Sequence, residues 1–164
     1  LEILDNVSTK LKASHENVIK LIGDLINDNA NKEKELKKLK NEKIVYLKKD
    51  LYKKIEDIKG VKAVAAKVDL DAQGMKDLAF QMKNEENELY MLLGSKENNK
   101  AILTLMISES LVEDKELHAG NIIKELSKEI EGGGGGQAFF ATAGGKNVEG
   151  LDKALSKGLD LLKS

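Results

Sequence analysis

Residues 131–147 read EGGGGGQAFFATAGGKN, and the reading of this stretch decides how the chain is organised. The run Gly132–Gly136 is followed by a short apolar segment, Gln137–Ala143, and by a second pair, Gly144–Gly145. Five consecutive glycines ordinarily form a flexible linker. Here a helical pattern ends at Glu131 on one side and an apolar strand pattern begins on the other, so little length is left for free linker. Glycines at both ends of a short strand mark backbone that turns sharply or is approached closely. Consecutive amides without Cβ atoms can also form a concave anion-binding nest. Phosphate or ribose hydroxyls suit such a surface, because they need donors rather than side-chain charge.

Working outward, Leu117–Ile130 places Ile122, Ile123, Leu126 and Ile130 on one helical face, and Val148–Leu162 carries a stripe of Leu151, Leu155, Leu159 and Leu162. Upstream, Val61–Val68 is β-branched and Ala-rich, which predicts a central strand, and Asp71–Lys83 returns to helical spacing. Glu88–Leu93 and Ala101–Ile107 are apolar runs joined by the turn-rich Gly94–Lys100, a hairpin pattern. The order strand, helix, strand, strand, helix, strand, helix predicts an α/β (α+β) domain over residues 60–164, one mixed sheet flanked by helices.

Residues 1–59 read as a helical arm. Leu4, Val7 and Leu11 form one stripe; Ser14 is placed to cap a second helix. That helix carries Val18, Leu21, Ile22, Leu25 and Ile26, then Leu36, Leu39, Leu47, Leu51, Ile55 and Ile58. Continuous from 16 to 58 it spans roughly 60 Å at 1.5 Å per residue. The stripe vanishes over Asn27–Glu35, where a break is equally compatible, and Gly60 is read as the terminator. Leu36, Leu39, Leu47, Leu51 and Ile55 are the candidate dimer seam, of the coiled-coil kind; an intrachain seam fits the same spacing.

Composition removes most chemistry. There is no Cys, so disulfides, thiolate metal sites and cysteine nucleophiles are excluded, and a reducing cytoplasmic setting is expected. His15 and His118 stand about a hundred positions apart in unlike contexts, and two exposed helical histidines are the expectation. No metalloprotease, nucleophile-elbow or Walker pattern occurs. The net charge is −1 and every basic residue is Lys. Without Arg, phosphate contacts are point charges only. Ala30–Gly60 holds 11 Lys against 6 acids, whereas residues 61–164 hold 13 against 17. A bulk basic patch is therefore not the argument for nucleic acid, and aromatics at 4% give few stacking platforms. The first residue is Leu, from which a piece of a longer enzyme is expected.

The stretch Leu117–Leu155, LHAGNIIKELSKEIEGGGGGQAFFATAGGKNVEGLDKAL, resembles the glycine-rich core of the DHH-associated domain that ends bacterial-type alanyl-tRNA synthetases and many DHH-family phosphoesterases. Ala119–Gly120, Gly132–Gly136 and Ala141–Gly145 carry the resemblance, and the helical arm favours the synthetases. The resemblance implies a non-catalytic module that holds the outer corner of tRNA for alanine, dimerises through the arm and joins the rest of the synthetase. It implies no cofactor in this piece, with ATP and zinc used elsewhere in the parent. RNA contact is then expected at Gly132, Gly133, Gly134, Gly135 and Gly136, with Gln137, Lys146 and Asn147 beside them. Family members often place a basic residue or histidine after the glycines, where Gln137 stands here.

Each of these has a plainer explanation. Lys146 reads equally as a solvated loop lysine and Asn147 as a helix cap, while Phe139 and Phe140, adjacent in a strand, are expected on opposite faces, one of them core. The alternative functions are the substrate-binding half of a DHH phosphoesterase and a purely structural dimerisation module.

Overall fold

The computed structural model describes residues 2–163. The chain divides into two compact units, Leu1–Lys43 and Ile44–Ser164. In the first, α1 (Glu2–Leu11) ends where Lys12 takes a left-handed φ of 51°. A 3-10 turn, His15–Asn17, leads into α2 (Val18–Lys53). Ser14 caps nothing with its side chain; its Oγ accepts from Asn17 Nδ2 at 2.9 Å. His15 Nε2 lies 2.7 Å from Asp5 Oδ1.

α2 runs unbroken through Asn27–Glu35. Helix hydrogen bonds need no apolar stripe, and Lys, Glu, Ala and Asn differ in propensity by only tenths of a kcal/mol, about 0.7 at most. Val18 is buried, whereas Ile22, Leu25, Ile26, Leu36 and Leu39 are exposed.

The second unit is built on a six-stranded sheet: β1 (Glu56–Ile58), β2 (Val61–Lys67), β3 (Leu89–Glu97), β4 (Lys100–Ile107), β5 (Gly132–Gly136) and β6 (Phe140–Gly145), in the order β1-β2-β3-β4-β6-β5. Only β2 and β3 pair in parallel, with α3 (Ala72–Glu85) between them in sequence, so the sheet is mixed. Asp71 caps α3, its Oδ1 accepting from Gly74 N–H at 2.7 Å. The remaining helices are α4 (Glu109–Asp114), α5 (Ala119–Leu126) and α6 (Leu151–Lys163).

Both faces of the sheet are covered, which is why β3 reads as a continuous apolar run. Tyr90 and Leu92 point into a core with Leu103, Leu105, Ile123, Leu126 and Leu155. Met91 and Leu93 point the other way, into one formed with Met75, Leu78, Met82 and Met106. Ile44 and Leu51, from the end of α2, belong to this second core, and Leu47 and Ile55 pack against it.

Several expectations are corrected. α2 ends at Lys53 rather than near Ile58, and Gly60 is not its terminator. β1 intervenes, and Lys59 and Gly60, with φ of 55° and 82°, form the two-residue turn into β2. The second hairpin is tighter than its turn-rich segment suggests. Asn98 and Asn99 both have positive φ, 48° and 61°, as a two-residue turn requires. Gly94 lies inside β3, where a Cβ would sit 3.2 Å from Leu151 Cδ2; its absence lets α6 seat on the sheet. Phe139 precedes β6, so strand alternation does not apply to it, and both phenylalanines pack on the same core. The Phe80 and Phe140 rings lie 5.4 Å apart, and Lys83 Nζ of α3 sits 4.9 Å from the Phe139 ring centre.

Candidate nucleic-acid interface

Gly132–Gly136 is neither linker nor nest. It is an extended edge strand, paired with β6 in the register Gly132↔Gly145 through Gly136↔Ala141. In extended backbone successive amides point opposite ways, so they cannot converge on one anion. Gly132 N–H donates to Ser127 O at 2.9 Å. At the other end the first turn of α5 grips the β5–β6 connection: Ala119 N–H donates to Ala138 O at 2.7 Å and Gly120 N–H to Gln137 O at 3.1 Å. A Cβ on Gly120 would lie 2.6 Å from Gly136 O, which accounts for a glycine there.

The five glycines fall into two alternating sets. A Cβ on Gly132, Gly134 or Gly136 would collide with β6: with Gly144 O, with Ala143 and Thr142 O, and with Phe140 O, respectively. These three are required by the strand pairing. Around Gly133 nothing lies within 4 Å of a Cβ, and the same holds for Gly144, its cross-strand partner. At Gly135 only Lys124 Cε comes near, at 3.8 Å. Gly133 and Gly135 therefore have no packing reason to be glycine.

Register places Gly133, Gly135, Gly144 and Thr142 on one face, together with Ile102 and Thr104 of β4. Gly133, Thr142 and Gly144 are exposed, so this end of the sheet is a nearly bare strip of peptide backbone. Beside it, a cleft of about 510 Å³ lies between the hairpin residues Asn98 and Lys100 and the segment Gly144–Lys146.

The other expected contact residues divide. Gln137 has an engaged backbone, its N–H donating to Phe140 O at 2.8 Å, but an exposed side chain. Lys146 is exposed at the cleft, 3.7 Å from Glu131. Asn147 makes no side-chain capping bond; its Nδ2 donates to Glu129 O at 3.2 Å, fixing the turn that precedes the glycine strand. Leu36 and Leu39 are exposed, 58% and 54%, whereas Leu51 is 1% exposed and belongs to the core of its own unit. The expected seam is thus split.

Lys124 is a neighbour of the strip that the sequence reading does not single out. A signal for it exists: Asn121 and Lys124 stand on the polar side of the helix that carries Ile123 and Leu126, Lys128 follows four residues on in the turn after it, and all three are exposed. Behind them, Glu129 is held below the ordinary carboxylate range by hydrogen bonds from Lys153 and Lys157, and Lys157 is raised by Glu125 and Glu129. Among the described residues no cluster of three His, Cys, Asp or Glu is placed to hold a metal, and no helix is long and apolar enough to cross a membrane.

Fold and site together define a small α+β domain whose mixed sheet ends in a Cβ-free edge strand. The DHHA1 domain family matches residues 60–164, and the chain belongs to that family. It is 45% identical to alanine–tRNA ligase of Christiangramia forsetii over 161 residues, 98% of this chain and 18% of that protein. Against alanine–tRNA ligase of Bacteroides thetaiotaomicron it is 41% identical over 165 residues, 98% of this chain and 19% of that one. The chain thus spans about a fifth of the length of these relatives. The crystal structure of the C-Ala domain of Aquifex aeolicus alanyl-tRNA synthetase superposes with a TM-score of 0.62 at 20% identity, covering 68% of this chain and 99% of that one, a match of fold.

Proposed function

We propose that this chain is the tRNA-binding, non-catalytic module of an alanine–tRNA ligase. The observation that carries the reading is the second glycine set. Gly133, Gly135 and Gly144 are free of steric demand from the fold, and together they bare a strip of backbone that an RNA surface can approach closely. The likeness to alanine–tRNA ligases over 98% of the chain supports tRNA for alanine as the RNA, held for the ligase's aminoacylation and editing. ATP and zinc belong, on this reading, to the remainder of the ligase, and the setting is cytoplasmic.

The arm supplies the second half of the proposal. Leu25, Ile26, Leu36 and Leu39 are large apolar side chains left exposed on a helix otherwise rich in charge, and a second copy of the chain is the occupant we assign to them. Gel-shift titration of the chain with a tRNA(Ala) transcript and with an unrelated RNA duplex tests the RNA reading. Tighter, salt-sensitive binding of the tRNA is expected; equal or absent binding refutes it.

A further inference from the structure

The globular unit carries more acid than base downstream of Gly60, yet its lysines are not equally neutralised. On α6, Lys153 Nζ lies 2.8 Å from Glu129, and Lys157 Nζ lies 3.1 Å from Glu125 and 3.2 Å from Glu129. These ion pairs occupy Glu125 of α5 and Glu129 of the turn after it, while the next acid, Glu131, lies 3.7 Å from Lys146. Lys124 of α5 and Lys128 of the turn that follows it are exposed and have no carboxylate partner among the described residues. Without Lys157, Glu125 would be the natural partner for Lys128 three residues on. Lys153 and Lys157 of α6 thus engage Glu125 and Glu129 and leave Lys124 and Lys128 with uncompensated charge.

Position gives that charge a use. α5 is tied to the far end of the glycine strand by the Ala119 and Gly120 amides and to its near end by the bond from Gly132 to Ser127 O. Its polar ridge therefore follows β5 along the outer edge of the sheet. The Lys124 stem rests on the open side of Gly135, its Cε 3.8 Å from where a Cβ would stand. An ammonium group on a flexible stem suits phosphate as a point charge and carries no base preference.

We propose that Lys124 and Lys128 form a phosphate rail beside the glycine strand, along which the RNA backbone is held while the bare strip takes the adjoining nucleoside surface. The inference rests on the tRNA-binding reading, and the experiment separates the two. The chain and its Lys124→Ala, Lys124→Arg and Lys128→Ala variants are titrated with the tRNA(Ala) transcript over a range of salt concentrations. Lys59→Gln, at the opposite edge of the sheet, is the control. Removing one lysine–phosphate pair lowers the slope of log affinity against log salt by roughly 0.7–0.9. Lys124→Ala and Lys128→Ala are each expected to show a decrease of about that size, Lys124→Arg to retain the full slope, and Lys59→Gln to match the parent chain. Binding by the parent chain with unchanged slopes in both alanine variants overturns the rail and leaves the tRNA reading standing. No binding by the parent chain overturns both. Circular dichroism on each variant shows that a reduced slope reflects the missing ammonium group rather than an unfolded chain.

Discussion

Exchanging one glycine for alanine at positions 133 and 134 gives opposite outcomes, although the two are neighbours in a homopolymer. In Gly134→Ala the new methyl carbon would fall 2.5 Å from Thr142 O and 2.7 Å from Ala143 Cα, both backbone atoms of the paired strand. Neither can rotate away, so β5 must shift. Overpacking of this kind costs about 1–3 kcal/mol. In a chain of this size each kcal/mol corresponds to roughly 2–4 °C of melting temperature. Gly134→Ala is therefore expected to melt about 6 °C lower. In Gly133→Ala the methyl group meets no atom within 4 Å, and its backbone is not left-handed. There alanine restricts the unfolded chain and adds about 0.4–1 kcal/mol of stability, so the melt should hold or rise by a degree or two. The tRNA titration completes the test, since a methyl group in a close approach should weaken Gly133→Ala about tenfold, or about 1.4 kcal/mol. Calorimetry or thermal circular dichroism gives the first quantity and a filter assay the second. Equal melting of the two variants refutes the steric division of the run, and unimpaired tRNA binding by Gly133→Ala refutes the use of the bare face.

The arm yields a second contrast: Leu51→Ala should cost about 2–5 kcal/mol in a chemical melt because it empties a core position. Leu36→Glu with Leu39→Glu should leave the melt of the globular unit alone and convert a dimer to a monomer in analytical ultracentrifugation. Tyr90→Phe removes the buried hydroxyl that donates to Gly158 O, 2.9 Å away, which should cost about 0.5–1.5 kcal/mol by denaturant titration. Glu129, Glu85 and Glu109 are all held below their ordinary carboxylate value of 4.5 by hydrogen bonds from lysines, Glu85 also by Tyr52. A depressed carboxylate adds stability above its unfolded value and loses it as pH falls through the folded one. The melting temperature should thus be level from pH 7 to about 5 and drop below about 4.5, more shallowly in Glu129→Gln.

Much of this architecture is legible in the residues, and the illegible parts share a cause. β2, β3 and β4 announce themselves as apolar runs, and α3, α5 and α6 by their three- and four-residue spacing. β1, with the sequence EDI, is a polar three-residue edge whose only sign is the pair of left-handed residues after it. α4 is six residues with one buried side chain, Leu111, too short for a period to appear. The glycine strand has no side chains, hence no pattern at all; only its pairing with β6 reveals which glycines the fold requires. Leu36 and Leu51 lie on one stripe of one helix, and spacing says nothing about which half meets a sheet. Lys124 and Lys128 are visible as polar positions, but the freedom of Lys128 depends on Lys157 taking Glu125, an ion pair between residues 32 positions apart that no local reading contains.

The alternation along β5 also bears on how such a chain changes over evolutionary time. On the proposed reading, two kinds of selection are interleaved in five consecutive glycines, one maintaining the fold at Gly132, Gly134 and Gly136, the other the proposed RNA surface at Gly133 and Gly135. A descendant released from its RNA would drift at the second set, with Gly144, while the first stayed fixed. One that kept its RNA would hold all six. A stretch that looks like low-complexity filler would then record, residue by residue, whether a lineage still uses the site.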